Sequence, residues 1–134
     1  MGLDTVRGTG RNRRLLVLVG LNVMYAILLI ALAVSPRPPG PADVPDRLAH
    51  AVAYGIQAIL LFLMLALVKP TTQALVIGCL GAIAFGVCTE GLQLLQPTRS
   101  TELMDIVADA CGAATAAGLG ALFLVIRTKK GRGE

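Results

Sequence analysis

The sequence predicts an all-α integral membrane protein, a four-helix bundle with both termini on the cytoplasmic side. Three observations predict it: an apolar composition, four apolar stretches of spanning length divided by proline-containing breaks, and an uneven split of basic residues. Of 134 residues, 55% are hydrophobic and 15% charged, against roughly 25% charged in an average soluble domain. The mean hydropathy is +0.74. About 20 residues per crossing leave too little chain for a separate extramembrane domain, so residues 1–134 read as a single membrane domain. Apolar content of this size excludes intrinsic disorder, and three cysteines in apolar surroundings exclude a disulfide-stapled scaffold.

The first apolar stretch runs from Leu15 to Val34, the second from Leu48 to Val68, the third from Thr72 to Leu95 and the fourth from Leu103 to Ile126. The breaks are the proline-rich segment 35–41, then Lys69-Pro70, then Gln96-Pro97-Thr98-Arg99-Ser100. Proline removes a backbone donor and disfavours helix before it, which makes these segments turns. Lipid leaves helices and closed barrels as the spanning structures, and the chain lacks the alternating ten-residue segments of a barrel. Residues 1–14 and 127–134 carry glycine and basic residues without apolar periodicity and are expected to be mobile tails. A cleaved signal peptide is the competing reading of the N-terminus, but its apolar core of about 20 residues exceeds the roughly 7–15 of a typical signal.

Orientation follows from the lysines and arginines. Arg7, Arg11, Arg13, Arg14, Lys69, Arg127, Lys129, Lys130 and Arg132 fall on one side, against Arg37, Arg47 and Arg99 on the other. The basic-rich side is cytoplasmic. The net charge of +4 therefore reads as a topology signal, and no nucleic acid partner is expected.

The candidate functional residues are those that hydropathy should exclude. Asp46 and His50 are four apart at the start of the second helix, and the same face continues to Tyr54 and Gln57. The third helix carries Glu90 and Gln93, and the fourth Asp105 and Asp109. Under the predicted orientation all lie in the outer halves of their helices. Intramembrane carboxylates face a bundle interior or a water-filled cavity. Small residues Gly78, Ala82 and Gly86 lead to Glu90, and Gly112, Ala116 and Gly120 extend the Asp105/Asp109 face; such stripes allow close helix approach. The expectation is a shared outward pocket of Asp46, His50, Tyr54, Glu90, Gln93, Arg99, Asp105 and Asp109.

Arg47, Arg99 and a protonated His50 are the candidate partners for the negative charge. Arg99 precedes Ser100 and Thr101, either able to cap the fourth helix, so its guanidinium suits a phosphate or carboxylate as well as an ion pair with Glu102 or Asp105. Asp46 and His50 read either as an acid/base dyad or as part of a register-fixing hydrogen-bond cluster. His50 with Glu90, Asp105 and Asp109 has donor chemistry suited to a divalent metal, but no recognised ligand spacing is present and no metal is expected. Nucleotide-binding glycine loops, CxxC pairs and serine-centred elbows are missing from the sequence, so no cofactor is expected. Cys79, Cys88 and Cys111 read as small apolar contacts, with Cys88 and Cys111 at comparable depth; Asn22 and Tyr25 read as interhelical hydrogen-bonding groups.

The order of these residues resembles the VanZ-like membrane protein family. The matching pieces are Asp46-Arg47-Leu48-Ala49-His50 with Tyr54, Thr89-Glu90-Gly91-Leu92-Gln93, Pro97-Thr98-Arg99-Ser100, and Asp105-Ile106-Val107-Ala108-Asp109 with Gly112. They span roughly Asp46 to Gly120. The family pattern usually has Asn where this chain has Asp109. The resemblance implies a small multi-pass protein of the bacterial cytoplasmic membrane with a cell-envelope role, the family being named for an accessory component of teicoplanin-type glycopeptide resistance. A membrane protein that binds a lipid-linked cell-wall precursor or a lipophilic glycopeptide is the leading expectation, without a commitment to catalysis. The alternatives are a membrane-embedded hydrolase or transferase acting on an envelope lipid, and a proton-coupled lipid transporter.

Overall fold

A computed structural model describes residues 3–36, 45–95, 97 and 102–130, with side chains described over 10–36, 45–95, 97 and 102–126. It contains four helices: α1 (Leu3–Ala33), α2 (Asp46–Leu65), α3 (Thr71–Gln93) and α4 (Leu103–Lys130). Each contains a stretch long and apolar enough to cross a membrane, and no strand occurs among the described residues. The chain is a multi-pass membrane protein built as a four-helix bundle.

Several helix ends differ from expectation. α1 begins at Leu3 and α4 continues to Lys130, so much of each expected tail is helical. Arginine and lysine are good helix formers, and an established spanning helix propagates through them at little cost. At the other ends α2 and α3 stop at Leu65 and Gln93, ahead of the expected Val68 and Leu95. The α2 exit tightens into a turn in which the Lys69 amide donates to Leu65 O at 2.8 Å. Pro70 stops that turn and its carbonyl accepts the Ala74 amide at 2.9 Å, opening α3. So short a connection makes α2 and α3 antiparallel neighbours.

The bundle is asymmetric. α2, α3 and α4 all pack on one another, whereas α1 packs on α2 and α3 and, among the described residues, makes no contact with α4. Polar ties hold α1 to α2: Asn22 Nδ2 donates to Leu60 O at 3.0 Å, Gln57 Nε2 donates to Asn22 Oδ1 at 3.3 Å, and Tyr25 OH donates to Ala53 O at 3.1 Å. Interhelical bonds of this kind contribute about 0.6 kcal/mol each in a membrane. The three-helix core is made of small residues, with Ala58, Ala82 and Ala113 buried in one layer. Large apolar side chains point outward instead: Leu16, Leu95 and Leu103 are each more than 70% exposed. That pattern is the inverse of a soluble bundle and suits a lipid-facing exterior.

Glycine sets the helix spacing. A Cβ at Gly112 would overlap the backbone carbonyl of Ala51, and one at Gly55 would sit 3.2 Å from Gly112 O. A Cβ at Gly78 would sit 3.0 Å from the Phe62 nitrogen. α2 therefore meets both α3 and α4 backbone to backbone. Towards the other end of the bundle the helices diverge around an apolar cleft of about 280 Å³, bordered by Phe62, Leu63, Leu75, Leu119 and Phe123.

Gly112→Ala is expected to force α2 and α4 apart and to lower stability in detergent by about 1–3 kcal/mol. Gly118→Ala, which meets open space, should leave the unfolding midpoint unchanged or slightly higher. Equal midpoints for the two variants would contradict the backbone contact.

Candidate functional site

Because the helices alternate in direction, the α2 N-terminus, the α3 C-terminus and the α4 N-terminus lie at one end of the bundle. At 1.5 Å per residue, His50 lies about 6 Å along α2 from its start, Glu90 about 4.5 Å from the end of α3, and Asp109 about 9 Å from the start of α4. The α2 and α4 N-termini carry partial positive charge, which favours Asp46 and Asp105 in their first turns. Glu90 sits near the opposite pole of α3, where its negative charge needs local compensation.

His50 is the residue on which the three helices converge. Its Nδ1 lies 3.0 Å from Asp109 Oδ1 and 3.9 Å from Glu90 Oε1. The first is a hydrogen bond in which Nδ1–H donates, and it joins α2 to α4. The second brings the α3 carboxylate to the same nitrogen at ion-pair range. Gln93 Nε2 donates to Glu90 Oε1 at 2.9 Å across one helical turn. Asp109 is 1% exposed, Glu90 and Gln93 3% each. Asp109 Oδ2 and Gln93 Oε1 are buried acceptors without a hydrogen-bond partner among the described residues.

Below His50 a second chain of hydrogen bonds joins α2 to α3. Tyr54 OH donates to Thr89 Oγ1, whose own hydroxyl donates to Gly86 O at 2.9 Å and Phe85 O at 3.1 Å. The Tyr54 ring stacks beside His50, with centroids 6.2 Å apart. Gly86 also seats Asp109, since a Cβ there would lie 2.6 Å from Oδ2. At the rim, Arg47 pairs with Glu102 at 3.1 Å, linking α2 to the approach of α4. Asp46 is exposed, but one of its carboxylate oxygens, one His50 ring nitrogen and one Asp105 carboxylate oxygen all lie within 4.8 Å of one another.

Seven of the eight sequence-predicted residues thus fall at one end of the bundle: Asp46, His50, Tyr54, Glu90, Gln93, Asp105 and Asp109. Arg99 lies outside the described residues. Two details differ from the sequence reading. The hydrogen-bonded carboxylate of His50 is Asp109 on another helix rather than its i−4 neighbour Asp46, because the glycine contacts bring α4 against α2. Gln57, although on the Asp46/His50/Tyr54 face, turns to Asn22 of α1 instead of joining the cluster. Thr89 and Gly86 were not among the predicted site residues; the four-residue spacing of Thr89 from Gln93 is the signal that would have found the first. Cys79, Cys88 and Cys111 are free, the last two exposed.

A double-mutant cycle at His50 and Asp109 tests the central contact. Asp109→Ala leaves a largely covered imidazole donor without its acceptor and is expected to cost about 1–3 kcal/mol of stability. His50→Ala with Asp109→Ala should then show a coupling of at least about 0.5 kcal/mol; strictly additive losses would mean that the two side chains do not meet. Comparison with known protein families, with characterised proteins and with solved structures finds no match for the chain.

Proposed function

We propose that this chain is a VanZ-like protein of the bacterial cytoplasmic membrane, with both termini cytoplasmic, whose polar end faces outward and binds the headgroup of a lipid-linked cell-envelope component or a lipophilic glycopeptide. The observation that carries the reading is the convergence of Glu90, Gln93, Asp109 and His50 from three helices on one buried layer. A carboxylate inside a spanning helix disfavours insertion by on the order of 2.5–3.5 kcal/mol at the centre, less near the interface, and such groups ordinarily serve a ligand or ion path.

The chemistry of the layer favours a donor-rich headgroup. Asp109 Oδ2 and Gln93 Oε1 are buried acceptors with no partner among the described residues, and sugar hydroxyls or peptide amides supply the complementary donors. Arg99, in the α3–α4 connection, is the residue type that would engage a phosphate. The envelope role and the link to teicoplanin-type resistance rest on the resemblance of Asp46-Arg47-Leu48-Ala49-His50, Thr89-Glu90-Gly91-Leu92-Gln93 and Asp105-Ile106-Val107-Ala108-Asp109 to the family pattern.

An enzyme acting on the same lipids is the second reading, and the His50–Asp109 hydrogen bond favours it, since a carboxylate on Nδ1 orients an imidazole for proton transfer at Nε2. Turnover of an envelope lipid by purified protein, abolished in His50→Gln, would select it. The apolar cleft on the side away from the cluster gives a proton relay no polar continuation, which weighs against a transporter.

Binding of a polyprenyl-pyrophosphoryl sugar to the protein in nanodiscs tests the headgroup reading. Saturable binding is expected, weakened at least about tenfold by Glu90→Gln and by Arg99→Ala, a loss of about 1.4 kcal/mol; affinities equal to wild type in both variants would remove the cluster as the site. Orientation is tested separately by reporter fusions: both termini should report the cytoplasm, and a periplasmic signal from either would reverse the arrangement.

A further inference from the structure

We infer that Asp46, His50 and Asp105 form a binding site for a divalent cation of the zinc or manganese class at the polar end of the bundle. One donor atom from each lies within 4.8 Å of the others, although the three come from two helices and sequence spacing links only the first two. A metal with ligand bonds of about 2.0–2.2 Å holds its tetrahedral ligands about 3.3 Å apart. Contraction of the trio by on the order of 1 Å suffices, and the exposed Asp46 is free to move by a rotamer change.

Three further observations point to a cation. Asp105 is 5% exposed, yet its carboxylate has no hydrogen bond or ion pair among the described residues while one of its oxygens faces Asp46 and His50. Burial of a carboxylate without a partner is costly, and a bound cation is a direct remedy. Next, the His50 Nδ1–H donates to Asp109 Oδ1 at 3.0 Å, which leaves Nε2 as the nitrogen with a lone pair. A carboxylate behind a metal-bound imidazole fixes its tautomer and raises its basicity in this way. Finally, the field is acidic: Asp46, Glu90, Asp105 and Asp109 surround His50, whereas Arg47 is engaged by Glu102. Such a field concentrates cations at the rim, where Asp46 opens to solvent.

An imidazole with two carboxylates suits zinc or manganese better than the all-oxygen preference of calcium. Three protein ligands leave at least one coordination position open to water or to a headgroup oxygen. The inference goes beyond lipid binding and is tested by the metal alone, so failure of one leaves the other standing.

The test is calorimetric titration of tag-free protein in detergent with zinc and with manganese chloride. The expected result is saturable binding of one ion per chain. His50 is the sole histidine, so His50→Gln should abolish that binding for zinc and weaken it at least about tenfold for manganese. Asp46→Asn, at an exposed position, should weaken binding at least about tenfold, as should Asp109→Asn through the imidazole. Gly118→Ala, which meets open space well away from the trio, should bind like wild type. Absence of saturable binding by wild type, or wild-type affinity in both Asp46→Asn and His50→Gln, would overturn the proposal.

Discussion

Close approach of α2 to its two neighbours is the constraint on which everything else depends. Gly112 lies against the Ala51 carbonyl, Gly55 against Gly112 O, and Gly78 against the Phe62 nitrogen. At those separations short side chains reach across: an aspartate on α4 meets a histidine on α2, and a threonine on α3 meets a tyrosine on α2. Move the helices apart by one methyl group and the same polar side chains would face each other across a gap without water to fill it. In hydrocarbon an unpaired polar group is expensive, so backbone proximity and polar pairing stabilise each other.

The distribution of charge follows from the same physics. Lipid contributes little to holding helices together, because its tails are as apolar as leucine; the large aliphatic side chains therefore point outward and the inner contacts are alanine, glycine and polar groups. Carboxylates appear close to the helix ends, where the bilayer is less forbidding and the α2 and α4 N-termini are electropositive. Among the described residues Glu90 is the one carboxylate at an unfavourable helix pole, and there Gln93 Nε2 and the His50 imidazole lie beside it. The result is one end of the bundle with charge and hydrogen-bonding capacity and another that is an apolar cleft.

Helix number, approximate boundaries and the membrane setting are legible in the chain because they depend on local composition: Pro70 stops one helix and starts the next by its covalent geometry alone. Which residues share a layer is legible too, since depth is counted along a helix. Partner choice is not, because it depends on how each helix is rotated against its neighbours. Spacing pairs His50 with Asp46; the glycine contacts instead turn Asp109 towards it. Spacing also sends Gln57 along with Tyr54, whereas α1 offers Asn22 at that height and captures it. The persistence of α1 to Leu3 and α4 to Lys130 reflects cooperative helix propagation, which apolar-run counting does not see.

The convergence of three helices on one imidazole is most directly measured by nitrogen-15 NMR of the protein labelled at its single histidine. The account predicts an Nδ1 that carries a hydrogen-bonded proton, protected from rapid solvent exchange, whose resonance shifts in Asp109→Asn while the fold is kept. An imidazole that averages rapidly between tautomers, with the same resonances in wild type and Asp109→Asn, would contradict it.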